Sequence, residues 1–151
     1  MQLDCVFNKS CEKMEELDDN SIDMIVTSPP YFNLKIYSSW HTYQEYLEFI
    51  GRVTRECYRV IRPRGFICWN VQDSIPFPPD ENREQRYSEP LAADSINSLR
   101  SAGFLYEKGI IWYKGPGTAT QKLVSSYPTP GMILISGLTE HIILMHKPCS
   151  K

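Results

Sequence analysis

The chain has 151 residues, one domain's worth, with 42% hydrophobic and 23% charged residues and a net charge of −2. It holds no apolar run of about 18 residues, and its first residues lack the basic-then-apolar layout of a signal peptide, so neither a membrane span nor an export leader is expected. Its 5 cysteines, an odd number without C-x-x-C spacing, read as reduced thiols of a cytoplasmic protein. The slightly acidic balance leaves any nucleic-acid binding to a local basic patch.

In chain order, Cys5-Val6-Phe7 is expected as a short strand. Ser10 is placed to cap a helix over Cys11–Leu17, with Met14 and Leu17 inward. Asp18-Asp19-Asn20-Ser21 is a turn. Ile22–Val26 is nearly all apolar, as a parallel strand covered on both faces would be. Strand, helix and strand together predict a βαβ unit, and in open α/β sheets ligands bind beyond the carboxyl ends of the strands. That place is taken by Thr27-Ser28-Pro29-Pro30-Tyr31. Two consecutive prolines fix two φ angles and remove two N–H donors, so the local carbonyls are held rigidly. Ser28 adds an acceptor and Tyr31 a flat aromatic face. Rigid acceptors beside a stacking platform suit the grip of an –NH2 group on a planar base, although Ser-Pro-Pro-Tyr alone also fits a simple strand-ending turn.

Phe32, Tyr37 and Trp40 follow in a loop, where they either stack on bases or fold back as a hydrophobic plug. Thr42-Tyr43-Gln44-Glu45 is a capping box that opens a helix to about Arg62. Tyr46, Phe49, Ile50, Val53, Cys57, Val60 and Ile61 are its apolar positions. Arg52, Arg55, Arg59 and Arg62 share another face, which suits a phosphate backbone, but the interleaved Glu45, Glu48 and Glu56 favour a solvated, ion-paired surface. Arg62-Pro63-Arg64-Gly65 stops the helix, with Gly65 expected as a left-handed cap, and Phe66–Val71 is a buried strand. Gln72–Pro90 is a proline-rich loop carrying Arg83, Arg86 and Tyr87. A helix over Leu91–Ala102 turns Leu91, Ile96 and Leu99 inward and ends at Gly103. A strand over Gly109–Tyr113 follows. Lys114–Glu140 is a second irregular stretch with Lys114 and Lys122. Thr139–Pro148 ends in a last strand, expected antiparallel in a mixed sheet. His41, His141 and His146 show no ligand spacing, so no metal site is expected.

These blocks resemble the DNA amino-methyltransferases, which methylate cytosine-N4 or adenine-N6 with S-adenosylmethionine. Thr-Ser-Pro-Pro-Tyr resembles their catalytic motif in its cytosine-N4 form. Asn70, Val71 and Asp73 resemble the family's "N-V-x-D" segment, with Arg64 standing where a glycine is usual. Arg86 to Lys114 resembles "R-Y-x-x-P-x-x-A-D…I-I-W-x-K", and Ser126–Pro130 with Glu140–Pro148 resembles "P-x-P…E-H-I-L-V-F-x-K-P". The order is that of a permuted class with the catalytic half first. The resemblance implies an α/β, partial Rossmann-like fold: a mixed sheet with helices on both faces and an antiparallel final strand. It implies Ser28, Pro29, Pro30 and Tyr31 as catalytic residues, and Arg86, Tyr87, Lys114 and Lys122 on double-stranded DNA with a flipped base. Asn8, Ser10 and Thr27 would border the cofactor, Ser10 standing where family members carry an acidic residue.

The glycine-rich turn that should hold S-adenosylmethionine is not found: none of the 8 glycines falls in G-x-G-x-x-G. Residues 1–151 therefore read as the catalytic and target-recognition half, without the cofactor half, which a complementing chain would supply. Alternatives are a non-catalytic DNA-binding remnant or restriction-modification subunit, or use of the motif on RNA or on a protein glutamine.

Overall fold

The computed structural model describes residues 4–32, 40–73, 88–114 and 139–149. Four strands and two helices follow in chain order: β1 (Ile22–Thr27), α1 (Tyr43–Val60), β2 (Ile61–Val71), α2 (Leu91–Ala102), β3 (Leu105–Tyr113) and β4 (Thr139–His146). The sheet order is β1-β2-β4-β3. β1 and β2 are parallel, joined by the α1 crossover, and β4 runs antiparallel to both neighbours. The class is thus α/β with a mixed, Rossmann-like sheet and an antiparallel last strand.

α1 forms because capping and periodicity agree. Thr42 Oγ1 accepts from the Glu45 N–H at 3.1 Å, and Glu45 accepts in return from the His41 N–H at 2.8 Å. Tyr46, Ile50, Val53, Cys57 and Val60 then repeat at helical spacing and are all buried. The helix ends at Val60, two residues before the expected stop, because the chain turns extended at Ile61. Pro63 disfavours a helical Arg62 and so favours that early exit. α2 has Pro90 at its start and no side-chain cap of its own. Asp73 supplies one from the end of β2, accepting from the Ala92 N–H at 3.0 Å. Gly103, at φ +113°, closes α2 as a left-handed residue.

The core lies between the helices and one face of the sheet. Alternation along β2 turns Ile67, Trp69 and Val71 inward, β4 adds Ile143 and Met145, and all five are buried. The two helices are joined by Tyr43 donating to Asp94 at 2.6 Å and by the Thr54–Ser98 hydroxyl pair at 3.0 Å. Both helices cover the same face. Among the described residues the opposite face, which carries Met24, Val26 and Phe66, has no helix against it.

Three local expectations are corrected. Cys5-Val6-Phe7 is not a strand, and Cys11–Leu17 is a run of turns, not a helix. Seven residues make a marginal helix, and here α1 claims their backbone. Glu56 accepts from the Met14 N–H at 2.7 Å, while Arg59 donates to the Met14 and Leu17 carbonyls at 2.9 and 3.0 Å. Parallel pairing therefore forms between β1 and β2, across α1.

The third concerns the stretch before Phe66, which is not a turn but the first, bulged part of β2, and in which the left-handed residue is Arg64, at φ +67°, and not Gly65. Gly65 is required for another reason: a Cβ there would lie 2.7 Å from Ile61 and 2.8 Å from the Asp23 carbonyl. The arginine stripe is ion-paired at three of its four members. Arg52 meets Glu12 at 2.6 Å, Arg59 meets Glu56 and Asp19 at 2.7 and 2.6 Å, and Arg62 meets Asp23.

Lys147 clasps the structure beyond β4. Its buried ammonium donates to the Tyr58 and Ile61 carbonyls at 2.6 and 2.9 Å and to Asn20 at 2.8 Å. Those carbonyls lie at the end of α1, where a cation is favoured. Burial lowers the affinity of this amine for its proton.

Candidate functional site

β1, β2 and β3 all point the same way, so their carboxyl ends and the start of β4 share one rim of the sheet. Thr27 pairs with Trp69, Asn70 with Ile142, and Trp112 with Glu140. Ser28-Pro29-Pro30-Tyr31 leaves β1 at this rim. Pro29 is buried, which anchors the corner, while Ser28 is exposed and Pro30 and Tyr31 are half-buried. The Ser28 hydroxyl lies 3.3 Å from the Tyr31 hydroxyl.

The Tyr31 hydroxyl faces a polar cluster that the sequence reading did not assemble. Glu140, at the start of β4, accepts from Lys114 Nζ at 2.9 Å and from Asn70 Nδ2 at 2.6 Å. Lys114 also donates to the Gln72 side chain at 2.8 Å. The Tyr31 phenol lies close enough to Glu140 for the carboxylate charge to act on it. Burial pushes the Glu140 carboxyl up, but hydrogen bonds from Lys114 and Asn70, with the Lys114 charge, hold it below the usual carboxylate range. Burial and the neighbouring Glu140 charge raise the Tyr31 phenol, against the Ser28 hydrogen bond. The Asn70 and Glu140 side chains lie on the sheet face away from the helices. Their place at strand ends beside the motif is the signal by which they were findable.

A hollow of about 240 Å³ opens on the other side of the prolines. Thr27, Ser28, Pro29 and Pro30 line it together with Met14, Ile22, Ile25, Val53, Cys57 and Trp69. Tyr31 is not among its lining residues. The Cys57 thiol, buried in its wall, is pushed up to about 12 by desolvation, which makes it inert as a nucleophile.

The expected site residues are thus placed as follows. Ser28, Pro29, Pro30 and Tyr31 form one corner, and Thr27 lies at its foot. Asn8 and Ser10 are exposed on the amino-terminal turns, and the Ser10 hydroxyl is 3.3 Å from a Glu12 carboxylate oxygen. Lys114 belongs to the Glu140 cluster. Arg86, Tyr87 and Lys122 lie outside the described residues, as do Arg83, Tyr37 and Ser126–Pro130. Phe32 is buried and packs on Tyr43 and Tyr46, and Trp40 packs on Tyr46 and Phe49, so these two aromatics form a plug.

The DNA methylase family model matches residues 22–148, from the start of β1 to past Lys147. The chain belongs to the DNA methylase family. Among curated members, the Type II beta methyltransferase M.BslI of Bacillus sp. (strain NEB-606) is 28% identical over 151 residues, covering 97% of this chain and 16% of that protein. Among solved structures, the DNA modification methylase TTHA0409 of Thermus thermophilus has a TM-score of 0.65 at 29% identity, over 89% of this chain and 50% of that chain. It has also been solved in complex with S-adenosyl-L-methionine. The cytosine-N4-specific PvuII DNA methyltransferase has a TM-score of 0.58 at 15% identity, over 91% of this chain and 47% of that chain, a likeness of fold alone. The chain spans half or less of the length of these methylases.

The methyl donor of this family offers an ammonium, a carboxylate, a ribose diol and an adenine to be bound. The hollow beside Thr27 is walled mostly by hydrocarbon, and Asn8 and Ser10 are exposed and are not among its lining residues. The described residues do not by themselves fit that molecule.

Proposed function

We propose that this chain is the base-gripping and target-recognition part of a site-specific DNA methyltransferase, acting on cytosine-N4 in preference to adenine-N6. One observation carries the reading: Ser28-Pro29-Pro30-Tyr31 forms an anchored corner at the carboxyl end of β1, with an exposed serine hydroxyl 3.3 Å from the tyrosine hydroxyl. The preference for cytosine rests on the serine form of the motif.

In this reading the target base leaves the duplex and enters the corner. Tyr31 stacks on it, and the exocyclic amine donates to Ser28 Oγ and to the Pro29 carbonyl. Those bonds draw the nitrogen from planar toward tetrahedral and free its lone pair. Pro29 and Pro30 hold the acceptors still, so positioning and exclusion of water supply most of the acceleration. No covalent nucleophile is used.

S-adenosylmethionine supplies the methyl group in this family. We place its site mainly in a cofactor-holding segment or complementing chain that joins at the free edge of β1, with Asn8, Ser10 and Thr27 at the border. β1 is the edge strand of the described sheet, which supports that junction. Arg86, Tyr87 and Lys122 are proposed on the DNA backbone, and Lys114 reaches it only by leaving Glu140. A second reading, a DNA-binding subunit of a restriction-modification system without catalysis of its own, is favoured by the hydrocarbon walls of the hollow.

The test joins the chain to its cofactor-holding part and follows labelled methyl transfer to unmethylated DNA. Pro30→Ala and Tyr31→Ala are expected to lose at least about 100-fold in rate while the fold stays intact by circular dichroism. Full activity in Tyr31→Ala would remove the stacking role.

A further inference from the structure

We infer that the free edge of β3, from Gly109 to Tyr113, pairs with the same edge of a second copy of this chain and forms a weak two-fold dimer. This dimer is independent of the reading of the proline corner.

β3 and β1 are the two edges of the sheet, so a segment that joins at β1 leaves β3 open. All 9 residues of β3 are exposed. Its outer N–H and C=O groups have no strand beside them among the described residues. The two halves of the strand treat that edge differently. In the first half the register with β4 shifts between Tyr106 and Lys108, and the charged Glu107 and Lys108 stand there. A bulge and charged side chains both discourage edge pairing. Beyond them Gly109-Ile110-Ile111-Trp112-Tyr113 keeps unbroken register and carries no charge. Ile110, Ile111, Trp112 and Tyr113 stand 47%, 57%, 49% and 60% exposed. Their side chains alternate between the two faces of the sheet.

This segment is its own complement. Antiparallel pairing of Gly109–Tyr113 with an identical segment puts the two-fold axis at its middle residue, Ile111. Ile111 then faces Ile111 of the copy, Ile110 faces Trp112, and Gly109 faces Tyr113. Aliphatic and aromatic cross-strand pairs of this kind stabilise antiparallel strands. The Tyr113 ring crosses a bare glycine and meets Tyr106, whose hydroxyl lies 2.8 Å from where a Gly109 Cβ would stand. The next pair would set Lys108 against Lys114 of the copy, and like charges there end the pairing. Each aromatic offers ~150–250 Å², so the four side chains, about half exposed, put at most on the order of 500 Å² per copy into the contact. Two copies reach about 1,000 Å², the low end of specific interfaces, which sets the expected affinity on the order of micromolar. The axis stands perpendicular to the sheet, so the two proline corners lie at opposite ends of the dimer and each keeps its own approach.

The experiment is sedimentation velocity of the full chain from about 1 to 200 µM, where a shift from monomer to dimer is expected. Ile111→Lys sets two ammonium groups on the axis and is expected to weaken the dimer at least about tenfold. Val26→Lys, exposed at the opposite edge of the sheet, is expected to leave it unchanged. Cross-linking covers the case in which Ile111→Lys fails to fold. In a Cys11→Ser/Cys149→Ser background, mild oxidation is expected to join two copies through Ile111→Cys but not through Leu105→Cys. A wild type that stays monomeric throughout overturns the inference. So does a dimer that Ile111→Lys leaves intact, or that Val26→Lys weakens as much, because the contact then lies elsewhere. Equal cross-linking through Leu105→Cys overturns the register.

Discussion

On the helix side of the sheet Ile67, Trp69, Val71, Ile143 and Met145 are buried, whereas on the opposite side Met24, Val26 and Phe66 stand 51%, 72% and 40% exposed. The residues named on the two sides are all apolar. The difference is therefore not in what the strands are made of but in what covers them. α1 and α2 complete one side with capped, periodic helices, and Lys147 locks the end of α1 to β4. The rim that carries the proline corner belongs to the completed side through buried Pro29 and to the other side through Glu140 and Asn70. A rigid corner at the margin of an uncovered surface is what a domain needs if a second segment and a DNA duplex are to close on it.

The largest effects are expected on the covered side. Trp69→Ala should cost about 3–5 kcal/mol in denaturant unfolding, since it empties a buried site. Lys147→Met should cost about 3 kcal/mol, because it leaves two carbonyls and Asn20 without a donor. Val26→Ser should change stability by less than about 0.5 kcal/mol. An equal loss for Val26→Ser would break the contrast between the two sides. A loss that appears only when the cofactor-holding part is present would sharpen it.

Acid should act on both sides at once, at lower cost. Glu56 is held below its ordinary value of 4.5 chiefly by its hydrogen bond from Arg59, and Glu140 is also depressed. For a carboxylate whose folded value is lowered, the stabilisation is present above the unfolded value and is lost as pH falls through the folded one. Unfolding midpoints should therefore hold above pH 4.5 and drop below it. Glu56→Gln should flatten that drop, and an unchanged profile in that variant would remove Glu56 as the cause.

The smallest expected effect is a gain. Arg64 holds φ +67°, a strained region for any residue with a Cβ. Arg64→Gly should raise stability by up to about 1 kcal/mol, read as a higher unfolding midpoint. A loss would show that the contact from Arg64 to Cys149, at 2.9 Å, outweighs the strain.

Elements whose stability is local were legible from the residues. α2 has the bounds its apolar spacing and Gly103 predict, and β1 and β4 fall where their apolar runs place them. Elements decided at a distance were not. The Cys11–Leu17 segment has helical spacing, yet Glu56 and Arg59, about forty residues away in the chain, take the backbone groups a helix would need. Gly65 carries the expected turn signal, but packing on Ile61 and Asp23 claims it, and the left-handed conformation passes to Arg64. At the site, Ser28 to Tyr31 announce themselves by two prolines. Asn70, Lys114 and Glu140 are ordinary residues on three strands' ends, and only the antiparallel register of β4 brings them together.

The central claim is that the corner grips an exocyclic amine, and a structure of the chain, with its cofactor-holding part, bound to target DNA tests it most directly. Expected is an extrahelical base whose amine nitrogen lies about 3 Å from both Ser28 Oγ and the Pro29 carbonyl, with its ring against Tyr31. A base bound elsewhere, or one that turns an oxo group toward Ser28, would contradict it.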